Sequence, residues 1–179
     1  MKEDLLKIIN NQLDRAYQLG QSFYYFKRDI HIYLSLADIN YKEENLELVY
    51  NTFLFLKYSA ENYKTNIAVV DEFPYWQYDT FWGLCKSELC RSLDEKVFLS
   101  DDQFWTKFYP PNHPGCGASI NILTKEQFKN KNLQLADSSN VIHPYPEWAF
   151  NPVTTDWRKF FNKFIVNSLK LNGEKNGST

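Results

Sequence analysis

The stretch "YPPNHPGC", residues 109–116, constrains this chain more than any other. Proline fixes φ and removes a backbone donor, and each residue before a proline is pushed out of the α region. Neither a helix nor a central strand can run through these residues. The fold must therefore carry a rigid, shaped loop that ends on Gly115 and Cys116. A loop of this kind serves as a metal knuckle, a catalytic loop or a plain turn.

Hydrophobic spacing predicts the elements on either side. Leu5, Leu6, Ile9, Leu13, Ala16 and Tyr17 fall at helical intervals over 3–19, with Gly20 as a stop. Ser22 is the expected N-cap of a second helix carrying Phe23, Phe26, Ile30 and Leu34 to about residue 37. A third amphipathic run, 42–62, carries Leu46, Val49, Tyr50, Phe53 and Leu56. At Pro74 the pattern changes to alternation. "YWQYDTF" (75–81) and "ASINILT" (118–124) predict strands, and "KVFL" (96–99) a shorter one. "DDQFW" (101–105) predicts one helical turn. Thr124 with Gln127 predicts a capping box that opens a helix over 125–130. Residues 131–153 are expected to be irregular. Trp157, Phe160, Phe161, Phe164, Ile165 and Leu169 predict a closing helix over about 155–171, and residues 173–179 a disordered polar tail. The class is α+β in a single domain of residues 1–172. A helical bundle covers about 1–65, a small antiparallel sheet with irregular loops covers about 74–153, and the closing helix follows.

A hydrophobic fraction of 44% with 17% aromatic residues in 179 supports a core built on Phe, Tyr and Trp. The net charge is −2, so the chain lacks the basic excess of a nonspecific nucleic-acid binder, and any DNA contact is local or made through a partner. No run of about 18 apolar residues predicts a membrane span. The start, "MKEDLLKIIN", is not a signal peptide. Three cysteines, an odd number, with no secretion signal point to a reducing cytoplasm.

All three cysteines lie in one window with one histidine: Cys85-x4-Cys90, then His113-x2-Cys116. Three thiolates and an imidazole make a valid tetrahedral zinc set, and the Pro–Gly turn suits the second pair. A spacing of four is long for the first pair. If 84–91 is one helix, residues five apart point to different sides and do not converge. Two other assignments fit the same residues. Free cysteines behave as small buried apolar groups, with His113 capping its own loop. Alternatively Cys116 and His113 form a nucleophilic pair, for which no orienting third group can be named. Asp94, Glu95, Asp101 and Asp102 form a solvated rim and a helix start. His31 and His143 are surface or satisfied histidines. No phosphate loop, GxSxG or HExxH is present.

The order of these pieces resembles the bacteriophage Mu F-like minor head proteins, also called phage head morphogenesis proteins. The matching pieces are Pro74 to Tyr78, Leu93-Asp94, Val97-Phe98, Asp101 to Trp105, Tyr109 to Asn112, and Gly115-Cys116, all in family order. "AYQLGQSFYYFKRDI", "NLELVYNTFLFLKY" and "HPYPEWAFNP" extend the resemblance from about residue 10 to 153. Departures are specific. "FWGLCKSEL" lacks the usual acidic-x-Arg, the turn glycine is Glu95, and the Arg after the "GC" cysteine is Gly117. The small glycine late in the third helix is also absent. Where the family carries Cys-x2-Cys, the second cysteine matches Cys90 and the first matches Ser87, with Cys85 two residues earlier; His113 and Cys116 match well. The missing arginines argue against phosphate binding through that loop.

The resemblance implies a structural role without catalysis. Such a protein is a minor head component that contacts portal or capsid proteins in assembly, DNA packaging or delivery. It is found in the host bacterial cytoplasm and the virion head, and touches phage DNA at most indirectly. Some members carry a toxin domain behind the head domain; this chain ends after one helix, and the resemblance implies a short version or a prophage remnant. The exposed faces of the Tyr- and Phe-rich helices are the expected partner surface, if those aromatics are not core. Two alternatives remain: a metal-dependent hydrolase or toxin-like effector using His113 and Cys116, and an interaction module stabilised by zinc on Cys85, Cys90, His113 and Cys116.

Overall fold

The structure, a computed structural model, describes residues 2–80, 85–139 and 141–171. The end of the first predicted strand at Phe81 and the predicted tail at 173–179 lie outside the described residues. The chain falls into two compact units, one within Met1–Leu54 and Trp157–Thr179, the other within Phe55–Asp156.

The first unit is helical. It holds α1 (Lys2–Gln18), α2 (Phe23–Leu36), the first part of α3 (Glu43–Ala68) and α7 (Trp157–Ser168). Each buries one stripe at helical spacing: Leu5, Ile9, Leu13 and Ala16 on α1; Phe26, Ile30 and Leu34 on α2; Leu46, Val49 and Phe53 on α3. The predicted closing helix is shorter than expected and packs here, with Trp157 and Phe161 against the Phe53 ring. The Arg158 guanidinium donates to both carboxylate oxygens of Asp14 at 2.7 and 2.9 Å, a bidentate tie between α7 and α1.

Helix α1 stops at Gly20, where φ is +59° and the Gln21 amide donates to the Ala16 carbonyl at 2.9 Å. A Cβ at Gly20 would meet nothing within 4 Å, so only the backbone conformation requires glycine. Gly20→Ala is expected to cost roughly 1 kcal/mol in urea unfolding, from the left-handed backbone alone.

The second unit is mixed. β1 (Tyr75–Asp79) lies between β2 (Val97–Leu99) and β3 (Ser119–Leu123), antiparallel to both. Trp76 pairs with Phe98 on one side and Ile122 on the other, and Tyr78 pairs with Ile120. Trp76 and Tyr78 point to the core and are fully buried, as alternation in "YWQYD" requires. Rings of Phe98, Phe104, Trp105 and Tyr109 complete that core, Phe98 and Phe104 stacked at 3.9 Å. The outer side of β2 is covered by residues 135–136, since the Ala136 amide donates to the Val97 carbonyl at 2.8 Å.

Three further local outcomes differ from expectation. Helix α3 runs to Ala68 rather than to about 62. Its polar last turns are held by tertiary contacts: Tyr63 packs on Trp76 and Tyr109, and the buried Asn66 amide donates to the Tyr109 hydroxyl at 3.3 Å. The helical turn expected over 101–105 starts four residues later, as α5 (Trp105–Phe108); before it the Asp102 carboxylate accepts the Phe104 amide at 2.8 Å and holds a turn. A short helix, α4 (Glu88–Leu93), precedes β2. The capping box forms as expected: Gln127 N–H donates to Thr124 Oγ1 at 3.1 Å, Thr124 N–H to Gln127 Oε1 at 2.8 Å, and α6 (Lys125–Asn130) follows. Beyond it, a 3₁₀ turn at Pro146–Trp148 interrupts the irregular segment. Among the described residues no helix is long and apolar enough to cross a membrane.

Candidate metal centre

Helix α4 starts at Glu88, after Ser87 in an extended conformation, so Cys85 stands outside the helix that carries Cys90. The obstacle posed by a continuous 84–91 helix therefore does not arise, and Cys85 turns back toward Cys90. On the other side, Gly115 takes φ +67° and the Cys116 amide donates to the His113 carbonyl at 3.1 Å. That tight turn aims the His113 and Cys116 side chains the same way.

The four side chains meet. Cys85 Sγ lies 3.1 Å and Cys90 Sγ 3.4 Å from His113 Nε2, and Cys90 Sγ lies 3.6 Å from Cys116 Sγ. All four donor atoms fall within 4.8 Å of one another. A tetrahedral zinc ion on sulfur and nitrogen spaces its ligands about 3.8 Å apart for two sulfurs and about 3.6 Å for sulfur and nitrogen. The donor set fits that ion with small adjustments of side-chain torsions. His113 Nδ1 donates to the Pro114 carbonyl at 2.9 Å, which fixes the ring and leaves Nε2 as the ligand atom.

The donor groups titrate against one another. Hydrogen bonds from Cys116 and Cys90 hold the Cys85 thiol far below its ordinary range, whereas the Cys116 thiol is pushed well up by its bonds to Cys85 and Cys90 and by burial. Burial alone would lower the His113 imidazole, but its bonds to Cys85 and Cys90 push it up to about 10. The Cys85 thiolate and the His113 imidazolium pair with each other. Ionising Cys116 as well would need a positive charge beside it, which a divalent ion would supply as it displaced the protons.

A second layer supports the cluster and was not legible as such in the sequence. The Asn112 amide, fully buried, donates to the Tyr78 hydroxyl at 2.8 Å and to the Phe108 carbonyl at 3.1 Å. The Tyr78 proton is then directed at Cys90 Sγ, 3.3 Å away. His143 Nδ1 accepts the Tyr145 amide, so its Nε2–H donates to Asn112 Oδ1 at 3.3 Å. Asn112→Ala would strand two buried polar groups. The expected loss is about 2–3 kcal/mol in urea unfolding.

His143 is thus a satisfied buried histidine, and His31 is exposed beside the Tyr41 hydroxyl at 3.1 Å. Burial is the main cause that lowers the His143 imidazole, with Glu147 opposing it. A lowered folded value means the unfolded chain takes the proton first. Stability from this group is therefore complete above about pH 6.5 and falls as pH drops from there toward the folded value. The part of the loss between pH 7 and 5 that His143→Gln abolishes isolates this residue.

Asp94 and Asp102 act locally, accepting the Thr80 amide at 2.9 Å and the Phe104 amide at 2.8 Å; Glu95 and Asp101 are exposed. None of the four belongs to the Cys–His cluster. A groove of about 310 Å³ lies beside the 110–111 prolines, walled by Phe55, Tyr58 and the 116–120 backbone region. Cys116 contributes to that wall but is itself fully buried, its sulfur turned to Cys90.

The profile of the family described as "Phage Mu protein F like protein" matches residues 7–120, which include all four donors. The chain is 31% identical over 99 residues to the capsid assembly protein F of Escherichia phage Mu, covering 55% of this chain and 22% of that protein. It is 28% identical over 93 residues to the Mu-like prophage FluMu F protein of Haemophilus influenzae, covering 52% of this chain and 22% of that protein. The chain thus aligns with 22% of the length of each of these curated relatives. No solved structure matches it.

Proposed function

The chain belongs to the Phage Mu protein F like family, and from that premise we propose that it is a minor phage or prophage head component. It acts in capsid assembly, DNA packaging or delivery by contact with portal or capsid proteins, in the host cytoplasm and then in the head. The match over residues 7–120 carries this reading, and the name of the phage Mu relative, a capsid assembly protein, supports it. The exposed face of α2, with Tyr24, Tyr25, Ile32 and Leu36, offers apolar surface for such contacts while Phe26, Ile30 and Leu34 of the same helix are buried. With a net charge of −2, contact with DNA runs through a partner.

We further propose that the mixed unit is held by zinc on Cys85, Cys90, His113 and Cys116. A catalytic zinc keeps one position open, whereas four protein donors close the shell. A closed shell favours a stabilised contact module over the hydrolase or effector alternative. When bound, the ion supplies a cross-link between α4 and the 113–116 turn. Tyr78, Asn112 and the Pro114 carbonyl orient its ligands.

The head role is tested by mass spectrometry of particles purified from an induced lysogen that carries this gene. Peptides of this chain at low copy beside portal and capsid proteins are expected. Infectious particles formed at full titre by a deletion strain would sink the proposal.

A further inference from the structure

We propose that β3 is a self-association edge, through which two copies of this chain join their sheets antiparallel about a two-fold axis at Asn121. The strand order β2-β1-β3 leaves β3 outermost, with no strand beside it among the described residues, while the opposite edge is covered at residues 135–136. A strand edge presents unpaired amides and carbonyls, and natural sequences usually blunt it with lysine, proline or a bulge. β3 is Ser-Ile-Asn-Ile-Leu and has neither lysine nor proline. Residues 108–124 contain no Asp, Glu, Lys or Arg, so no charged residue of the strand itself is set against its copy.

The side-chain pattern is self-complementary. Ile120 and Ile122 lie on the core side, in register with Tyr78 and Trp76, and remain only partly buried at the sheet edge. With Asn121 on the axis, Ile120 of one copy faces Ile122 of the other, and both isoleucine pairs extend the two cores toward each other. Asn121 faces Asn121 on the exposed side, where amide can meet amide. A one-residue slip would set isoleucine against asparagine, so the pattern favours a single register. A short strand pair buries little area, and the dimer is weak and reversible. This inference is independent of the metal site.

Sedimentation equilibrium of the full chain over a concentration series tests it. A monomer–dimer equilibrium is expected, with hydrogen exchange at 119–123 slowing as concentration rises. Asn121→Lys places like charges opposite each other and should weaken association by at least about five-fold. Its Tm should stay close to wild type, because residue 121 is exposed, on the face of the sheet away from Trp76 and Tyr78. A monomer at every concentration overturns the proposal. So does a dimer that Asn121→Lys leaves intact, or exchange at 119–123 that does not respond to concentration.

Discussion

On the proposal that zinc holds the mixed unit, exhaustive chelation of the folded protein is expected to lower its Tm by more than about 10 °C, because binding free energy at a structural site is folding free energy. The four donors come from two separate segments, 85–90 and 113–116. The second segment follows the proline-rich part of the loop, whose backbone joins no strand or helix of the fold. Without a cation, three sulfurs and an imidazole share one site in which Cys116 resists ionisation. Cys116→Ala should reproduce the loss with no chelator present, since its sulfur is fully buried and contacts nothing in solvent. Adding zinc back should restore the chelated wild type and leave the variant low. An unchanged Tm after exhaustive chelation would mean that the cluster is ordinary core and not a cross-link.

The second large effect belongs to the sheet. Trp76→Ala is expected to cost about 3–5 kcal/mol in urea unfolding, the usual range for emptying a large aromatic site. Trp76 is fully buried on β1, the central strand, and its ring meets Tyr63, Trp105 and Tyr109. Among the described residues its indole N–H has no hydrogen-bond partner. The loss is therefore one of packing, with no bond broken. Trp76→Phe removes the unpaired donor along with some volume and should cost less than about 1.5 kcal/mol. A Trp76→Ala loss below about 1 kcal/mol would show that the aromatic cluster is loosely packed.

How much of this was legible in the chain depended on whether neighbours in sequence or neighbours in space decide. The capping box at Thr124 and Gln127, the stop at Gly20 and the buried stripes of α1 and α2 are local devices, and they stand where the spacing predicts. The last turns of α3 are polar and are kept helical by Tyr63 and Asn66 against Tyr109, a partner more than forty residues away. The delayed start of α5 rests on one Asp102 side-chain bond that competes with helix formation. At the candidate site, residue types and order pointed to Cys85, Cys90, His113 and Cys116. Whether they could meet turned on two residues between Cys85 and the start of α4. Asn112 and His143 carried no periodic or motif signal of a supporting role, because that role exists only once Tyr78 stands beside Cys90.

The central claim, a zinc-held module within a Mu F-like head protein, is tested most directly by metal content with X-ray absorption on the untagged protein. The account predicts one zinc per chain, with three sulfur neighbours at about 2.3 Å and one nitrogen at about 2.0 Å. Protein purified without chelator that carries no zinc, or zinc surrounded by oxygen, would contradict it.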